Sequence, residues 1–256
     1  MSRRVPLLIL ALLLASLSVV VACGGSSQPP AESAPAAEPA PSAQSEASKH
    51  MHEHLNRITE IHNAVTRGDL EAASAPAAWL ADHEPPAGLP ATVVDELANM
   101  KRTSKMVVDA TSINDAATAT AQLLAACGTC HTKTSVVVSF DDVPKPPAGA
   151  GVSAHMLEHQ WAMDLMMQGL VGPSEMKWRQ GAEALKVSPM AAEELPKDEK
   201  LTQEIRTFET KVHGWADKAV DAGDMGTRVA VYGEVTAGCA ACHGLHGRAW
   251  GPGLPK

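Results

Sequence analysis

A five-residue pattern that occurs twice constrains this chain more than any other feature of its sequence. The pattern is Cys-x-x-Cys-His, and it occupies residues 127–131 and 239–243. Two thiols three residues apart, with an imidazole directly after the second, lie close together on one turn of a helix. This spacing lets both thiols bond to one edge of a porphyrin while the imidazole binds the iron, and it is the attachment sequence of haem c.

The two patterns therefore predict two covalently bound haem c groups. The predicted attachment points are four of the five cysteines, and the two histidines are the predicted proximal iron ligands: Cys127, Cys130, His131, Cys239, Cys242 and His243. The alternatives are a disulfide, redox-active or structural, and a zinc site built from the same side chains. We favour haem because neither alternative requires a histidine directly after the second cysteine of both pairs.

The N-terminus predicts export and a lipid anchor. Residues 1–22 have a basic head followed by an apolar run, which is typical of a secretory signal peptide. The run ends at Cys23, and this junction resembles a bacterial lipoprotein signal in which the cysteine is lipidated. The alternative is a plain signal peptide with an odd thiol. We expect anchoring to the periplasmic or outer face of a bacterial membrane, and Gly24 favours the outer membrane because it does not resemble an inner-membrane retention signal.

Residues 23–49 are predicted to form a disordered tether behind the lipidated cysteine. The segment is rich in Ala, Pro, Ser and Glu, and it has no large apolar residue with which to form a core. The whole chain has a formal charge of −8, and removal of Arg3 and Arg4 with the signal peptide takes it to −10. This acidity disfavours nucleic-acid binding and suits redox partners that carry basic docking patches.

The rest of the chain is a tandem repeat. The segment at 50–54 returns at 155–159, and the segment at 109–127 aligns without gaps with 221–239. A long period seen twice indicates duplicated domains rather than a solenoid. We assign 50–135 to the first haem domain, 136–152 to a linker, and 153–256 to the second haem domain with a short C-terminal tail.

Each repeat has the apolar periodicity of helices and almost no alternating pattern. In the first repeat, helices are expected from about 51 to 65, 70 to 83 and 91 to 110, and then from a cap at Ser112 to the cysteine motif. In the second repeat they are expected near 154–171, 173–187, 198–220 and 224–243. Four helices with mostly short connections predict an all-α fold of two tandem four-helix bundles.

With four helices per repeat and Cys-x-x-Cys-His at the end of the last one, the chain resembles the class II cytochromes c, the cytochrome c′-like family. The resemblance covers residues 50–135 and 153–246, and helix order and motif position carry it. It implies a four-helix bundle around each haem, with the group that faces the open side of the iron supplied by the first helix.

Both first helices begin with a repeated histidine and methionine cluster. His54 and His159 are the predicted distal iron ligands, and Met51 and Met156 are the alternatives. Two more histidines, His50 and His155, share their helical face one turn earlier. The remaining histidines have no counterpart in the other repeat. His52 is expected on the surface, and the others are expected to be surface or core residues: His62, His83, His213 and His246.

The predicted function is single-electron transfer between respiratory partners by a membrane-anchored dihaem c-type cytochrome, which is not an enzyme. Two other classes stay open. An iron without a sixth protein ligand would bind small gases such as NO, CO or O₂. An open iron with an acid–base group above it would suit a haem peroxidase, and a histidine of the first helix could serve as that group.

Overall fold

Eight α-helices make up nearly all the regular structure of the described residues. The computed structural model describes residues 43–85, 91–149, 151–186 and 189–250. The helices are α1 Ala43–Thr66, α2 Leu70–Asp82, α3 Val94–Val108, α4 Ile113–Lys133, α5 Val152–Val171, α6 Glu175–Ala184, α7 Glu199–Asp221 and α8 Met225–Trp250. Short 3₁₀ turns precede α3 and α7, at Ala91–Val93 and Ala192–Glu194. There is no β-strand in this part of the chain, which confirms the prediction of an all-α fold.

Most of the helix boundaries follow local signals. The side chain of Ser112 accepts a hydrogen bond from Asp115 N at 3.1 Å, so the predicted cap of α4 is confirmed. The same kind of cap starts α2, α6 and α7, at Asp69, Ser174 and Asp198.

Two boundaries differ from the sequence prediction. Helix α1 begins at Ala43, inside the segment assigned to the tether, so the helix extends further toward the N-terminus than expected. Alanine, glutamine and glutamate favour a helix once the next turns are anchored, even without a large apolar residue. Helix α8 continues past His243 to Trp250. The predicted signal peptide, Cys23 and most of the tether lie outside the described residues.

The helices of each repeat contact one another in chain order. In the first repeat α1 packs on α2, α2 on α3 and α3 on α4, and α1 also contacts α4. The second repeat has the same order, from α5 on α6 to α7 on α8, with a contact between α5 and α8. The short connections make consecutive helices antiparallel. As a result the start of the first helix and the end of the fourth lie at the same end of each repeat.

The two repeats share one apolar core. Helix α4 packs along α8, α4 also contacts α5, and α1 contacts α8. The largest buried cluster contains residues from all eight helices, including Trp178 and Tyr232, which are both fully buried. A buried hydrogen bond of 3.0 Å joins Tyr232 Oη of α8 to His62 Nδ1 of α1. The repeats are therefore held together by core packing and by a buried polar contact.

None of the helices described here is both long and apolar enough to span a bilayer.

Candidate functional site

The two Cys-x-x-Cys-His patterns lie in α4 and α8, and the second is not at the end of its helix. Cys127, Cys130 and His131 fall in the last two turns of α4, and the second pattern lies in the C-terminal half of α8. The four cysteines are free thiols. Burial raises the pKa of the Cys239 and Cys242 thiols to about 12. Thiols so shielded from water are poor nucleophiles for disulfide exchange, which disfavours a redox-active disulfide.

The histidine of each pattern is held through one ring nitrogen by a backbone carbonyl. His131 Nδ1 lies 2.7 Å from the carbonyl oxygen of Val171, and His243 Nδ1 lies 2.9 Å from that of Thr66. Because a carbonyl can only accept, each imidazole donates from Nδ1 in its neutral form. Nε2 is then left with a lone pair for a metal ion.

The two accepting carbonyls occupy the same position at equivalent helix ends. At the end of α1, Gly68 N donates to Val65 O at 2.9 Å and Asp69 N donates to Ala64 O at 2.9 Å. This is a Schellman motif, and Gly68 with a φ of 77° provides the left-handed residue that it needs. The motif satisfies two of the terminal carbonyls and leaves that of Thr66 for His243.

Helix α5 ends with only the longer of these two hydrogen bonds, because Pro173 has no N–H to donate. Ser174 N donates to Gly169 O at 3.0 Å, across Pro173. Val171 thus has the place that Thr66 has in α1, and its carbonyl accepts from His131. Each motif histidine is therefore held by the first helix of the other repeat.

A group of three histidines lies where α1 begins and α2 ends. This group, histidine cluster 1, consists of His50, His54 and His83, and it has one ring nitrogen from each within 4.8 Å of the others. His83 Nε2 is 3.3 Å from His50 Nδ1, and the His83 ring stacks on Trp79 with centroids 3.8 Å apart. The cluster and the first Cys-x-x-Cys-His pattern lie at the same end of the first repeat.

A second group repeats this arrangement in the other half of the chain. Histidine cluster 2 consists of His155 and His159 of α5 and His213 of α7, with ring nitrogens within the same 4.8 Å. Unlike cluster 1, it has a buried carboxylate beside it, because Glu209 Oε1 lies 3.5 Å from His155 Nε2. Glu209 also accepts hydrogen bonds from Met190 N and Arg206.

Burial keeps the predicted distal histidines uncharged. Burial and the neighbouring imidazoles of His50 and His83 lower the pKa of His54 to about 4. The pKa of His159 is lowered well below its usual value, again mainly by burial, and His243 is among the neighbours that contribute. In the part of the chain that the structure describes, the Nε2 atoms of both His54 and His159 are buried without a hydrogen-bond partner. A neutral imidazole with an unpartnered buried nitrogen can act as a metal ligand.

Neither of the two alternative ligands is fully buried. Met51 is 37% exposed, and Met156 is half-buried. His52 is exposed, as predicted for the surface.

The sequence did not reveal the third member of either cluster. His83 and His213 were expected to be isolated surface or core residues, because neither has a counterpart in the other repeat. His83 comes from the end of α2 whereas His213 comes from α7, so two different helices complete the two clusters. Because His83 and His213 occupy different positions in the two repeats, alignment of the repeats does not pair them. His62 is in the core with Tyr232, and the side chain of His246 lies outside the described residues.

Comparison of the chain with protein-family models, curated proteins and solved structures found no match.

Proposed function

We propose that this chain is a dihaem c-type cytochrome that transfers single electrons between redox partners outside the cytoplasm. The observation that carries the proposal is the hydrogen bonding of His131 and His243 and their position after the thiols. Both donate from Nδ1 to a helix-end carbonyl, and both directly follow a pair of thiols on the same helix. An imidazole fixed in this tautomer is prepared to bind iron through Nε2.

The side chains fit two covalently attached haems. A haem c supplies an iron that cycles between two oxidation states one electron apart. In this chain Cys127 and Cys130 would hold one porphyrin, and Cys239 and Cys242 would hold the other. Each repeat would form a four-helix bundle around its haem, as in the class II cytochromes c that the sequence resembles.

Electron transfer is favoured over gas binding by the candidate sixth ligands. His54 and His159 each present a buried Nε2 atom that lacks a hydrogen-bond partner among the described residues. Leaving such an atom unpaired costs about 1–3 kcal/mol, and binding to iron would remove this cost. An iron closed on both sides exchanges electrons but has no position for a substrate, so we propose a carrier rather than an enzyme.

Haem content tests the proposal directly. The full-length chain would be produced in a host that attaches haem c and then analysed by mass spectrometry and by absorption of the alkaline pyridine complex. We expect a mass increase of two haems per chain, one of which is lost in C127S/C130S and the other in C239S/C242S. A polypeptide with bare thiols or with a cystine would contradict the proposal.

The ligation of the iron is tested separately by carbon monoxide. With both irons closed, the ferrous protein should bind it slowly or not at all. Rapid uptake at both irons would favour the gas-binding class, and turnover with peroxide would favour the peroxidase.

Export and anchoring are part of the same proposal. Residues 1–22 would be removed as a signal peptide, and Cys23 would be lipidated and held in a bacterial membrane, with the outer membrane favoured. Labelling of expressing cells with a fatty acid tests this: label should enter the protein and should be absent from C23S. The acidic surface would meet basic patches on redox partners, and added salt should then slow reduction by such a partner.

A further inference from the structure

The first helix of each repeat touches both candidate haem sites. Helix α1 carries His54 of histidine cluster 1 near its start, and the carbonyl that holds His243 of the second motif is at its end. Helix α5 has the same arrangement with the two sites exchanged. It carries His159 of histidine cluster 2 near its start, and the carbonyl that holds His131 of the first motif is at its end. From each distal histidine to the accepting carbonyl there are 12 residues in both helices. This corresponds to about 18 Å of helix, at about 1.5 Å per residue.

The contacts at the ends of the two helices leave little freedom. A methyl group added at Gly128, between the cysteines of the first motif, would overlap the carbonyl oxygen of Leu170 in α5. At the other site, a Cβ added at Gly68 would lie 3.4 Å from the Ala240 carbonyl oxygen, within the second motif. Each motif thus packs directly against the end of the other repeat's first helix. A small displacement of that helix end would move the accepting carbonyl relative to the imidazole.

The accepting carbonyl also has an electrostatic effect. It belongs to the C-terminal end of a helix, which carries a partial negative charge. A hydrogen bond from Nδ1 to such a group makes the imidazole a more basic ligand. A more basic ligand stabilises ferric iron relative to ferrous iron, so the bond should lower the midpoint potential of the haem.

We propose that the backbone carbonyls of Thr66 and Val171 are the positioning groups for His243 and His131, so that each haem site is completed by the opposite repeat. Helices α1 and α5 then link the distal side of one site to the proximal side of the other. This inference rests on the proposed function, because it concerns how the chain holds its two irons. It gives the duplication a physical role, since neither repeat contains the acceptor for its own motif histidine.

The decisive variant changes the end of α1 and replaces no residue of either motif, and its new Cβ would be in ordinary van der Waals contact with the Ala240 carbonyl oxygen at 3.4 Å. In Gly68→Ala, a residue with a Cβ has to adopt a φ of 77°, which strains the Schellman motif and shifts the neighbouring carbonyl of Thr66. The conservative variant is Gly68→Asn, because asparagine tolerates this conformation better. Thr66→Ala is one control, because it removes the side chain and keeps the carbonyl. Gly244→Ala is the other, since its new methyl group would meet nothing within 4 Å although it adjoins His243.

Three measurements are made on the full chain: haem content, the midpoint potential of each haem, and the exchange rate of the two imidazole Nδ1 protons by NMR. The single-haem variants C127S/C130S and C239S/C242S assign the signals to the two sites. In Gly68→Ala we expect two haems per chain, a higher potential for the haem on Cys239 and Cys242, and faster exchange of the His243 proton. Gly68→Asn should return the midpoint potential and the exchange rate of the His243 proton toward the wild-type values. The two controls, Thr66→Ala and Gly244→Ala, should have the wild-type values.

The inference is overturned if Gly68→Ala retains two haems but changes neither the His243 proton nor the potential in the opposite repeat. It is also overturned if the potential changes only for the haem of its own repeat. The wild-type NMR spectrum is a second test that does not depend on how a variant folds, because rapid exchange of both Nδ1 protons would show that the hydrogen bonds are absent. A chain without haem would instead contradict the proposed function, and the proton exchange would still report on the two carbonyls.

Discussion

Replacement of His62 should remove a specific part of the acid sensitivity of the fold. His62 of α1 is 2% exposed, and its Nδ1 lies within hydrogen-bond distance of Tyr232 Oη, at 3.0 Å. Burial lowers the pKa of His62 from 6.5 to about 4. Burial also raises the pKa of Tyr232 well above its usual value, so the hydroxyl remains protonated. Protonation of the imidazole would place a positive charge in the core, where burial makes it costly.

The sign and size of the effect follow from proton linkage. Between pH 6.5 and pH 4 the unfolded chain binds a proton at His62 that the folded chain does not, so stability falls as the pH falls. The full loss of folding stability from His62, reached below pH 4, is about 3 kcal/mol. Between pH 7 and pH 5 the loss should be about 2 kcal/mol. In His62→Gln this contribution is absent, although the variant should be less stable than the wild type at pH 7.

Urea unfolding of the wild type and His62→Gln at pH 7 and at pH 5, followed by circular dichroism, measures the difference. The wild type should lose about 2 kcal/mol more than the variant over this range. His52→Gln, which removes an exposed histidine from the same helix, is the matched control and should lose as much as the wild type. Equal losses in the wild type and His62→Gln would refute the reasoning, because His62 would then not be held neutral by the fold.

The other predictions concern separate parts of the molecule. Burial raises the pKa of Asp164 from 3.8 to about 6, so this group destabilises the fold as the pH rises through that range, and the loss is complete above it. Asp164→Asn should therefore increase the free energy of unfolding at pH 8 by about 1 kcal/mol, after allowance for its partial exposure, and the gain should vanish near pH 4. Gly181→Ala should destabilise by about 1–3 kcal/mol in urea unfolding because its Cβ would lie 2.5 Å from a carbonyl of α5. Gly214→Ala, in open space within α7, should stabilise by about 0.5–1 kcal/mol. If His54 and His159 are the distal ligands, replacing either with alanine should convert one haem from low spin to high spin in the absorption spectrum, and unchanged spectra would contradict the assignment.

Much of the helical architecture could be predicted from the sequence because its signals are local. Apolar spacing indicated the eight helices, and the Ser112 cap and the proline segment after α2 indicated where some of them begin or end. The position of each cysteine motif on the last helix of its repeat also followed from the order of elements. The predicted start of α1 was wrong, because composition alone does not show that adjoining turns can stabilise a helix.

The sequence by itself determined which residues can carry the chemistry, since two cysteines and a histidine at fixed spacing are a local pattern. The tertiary structure alone decided what surrounds them. It joined His83 and His213 to the repeated histidine pairs. It also brought His131 to Val171 and His243 to Thr66, which are 40 and 177 residues away along the chain. These contacts depend on how α4 and α8 pack against the opposite repeat, and packing across such separations leaves no periodic signal in either segment.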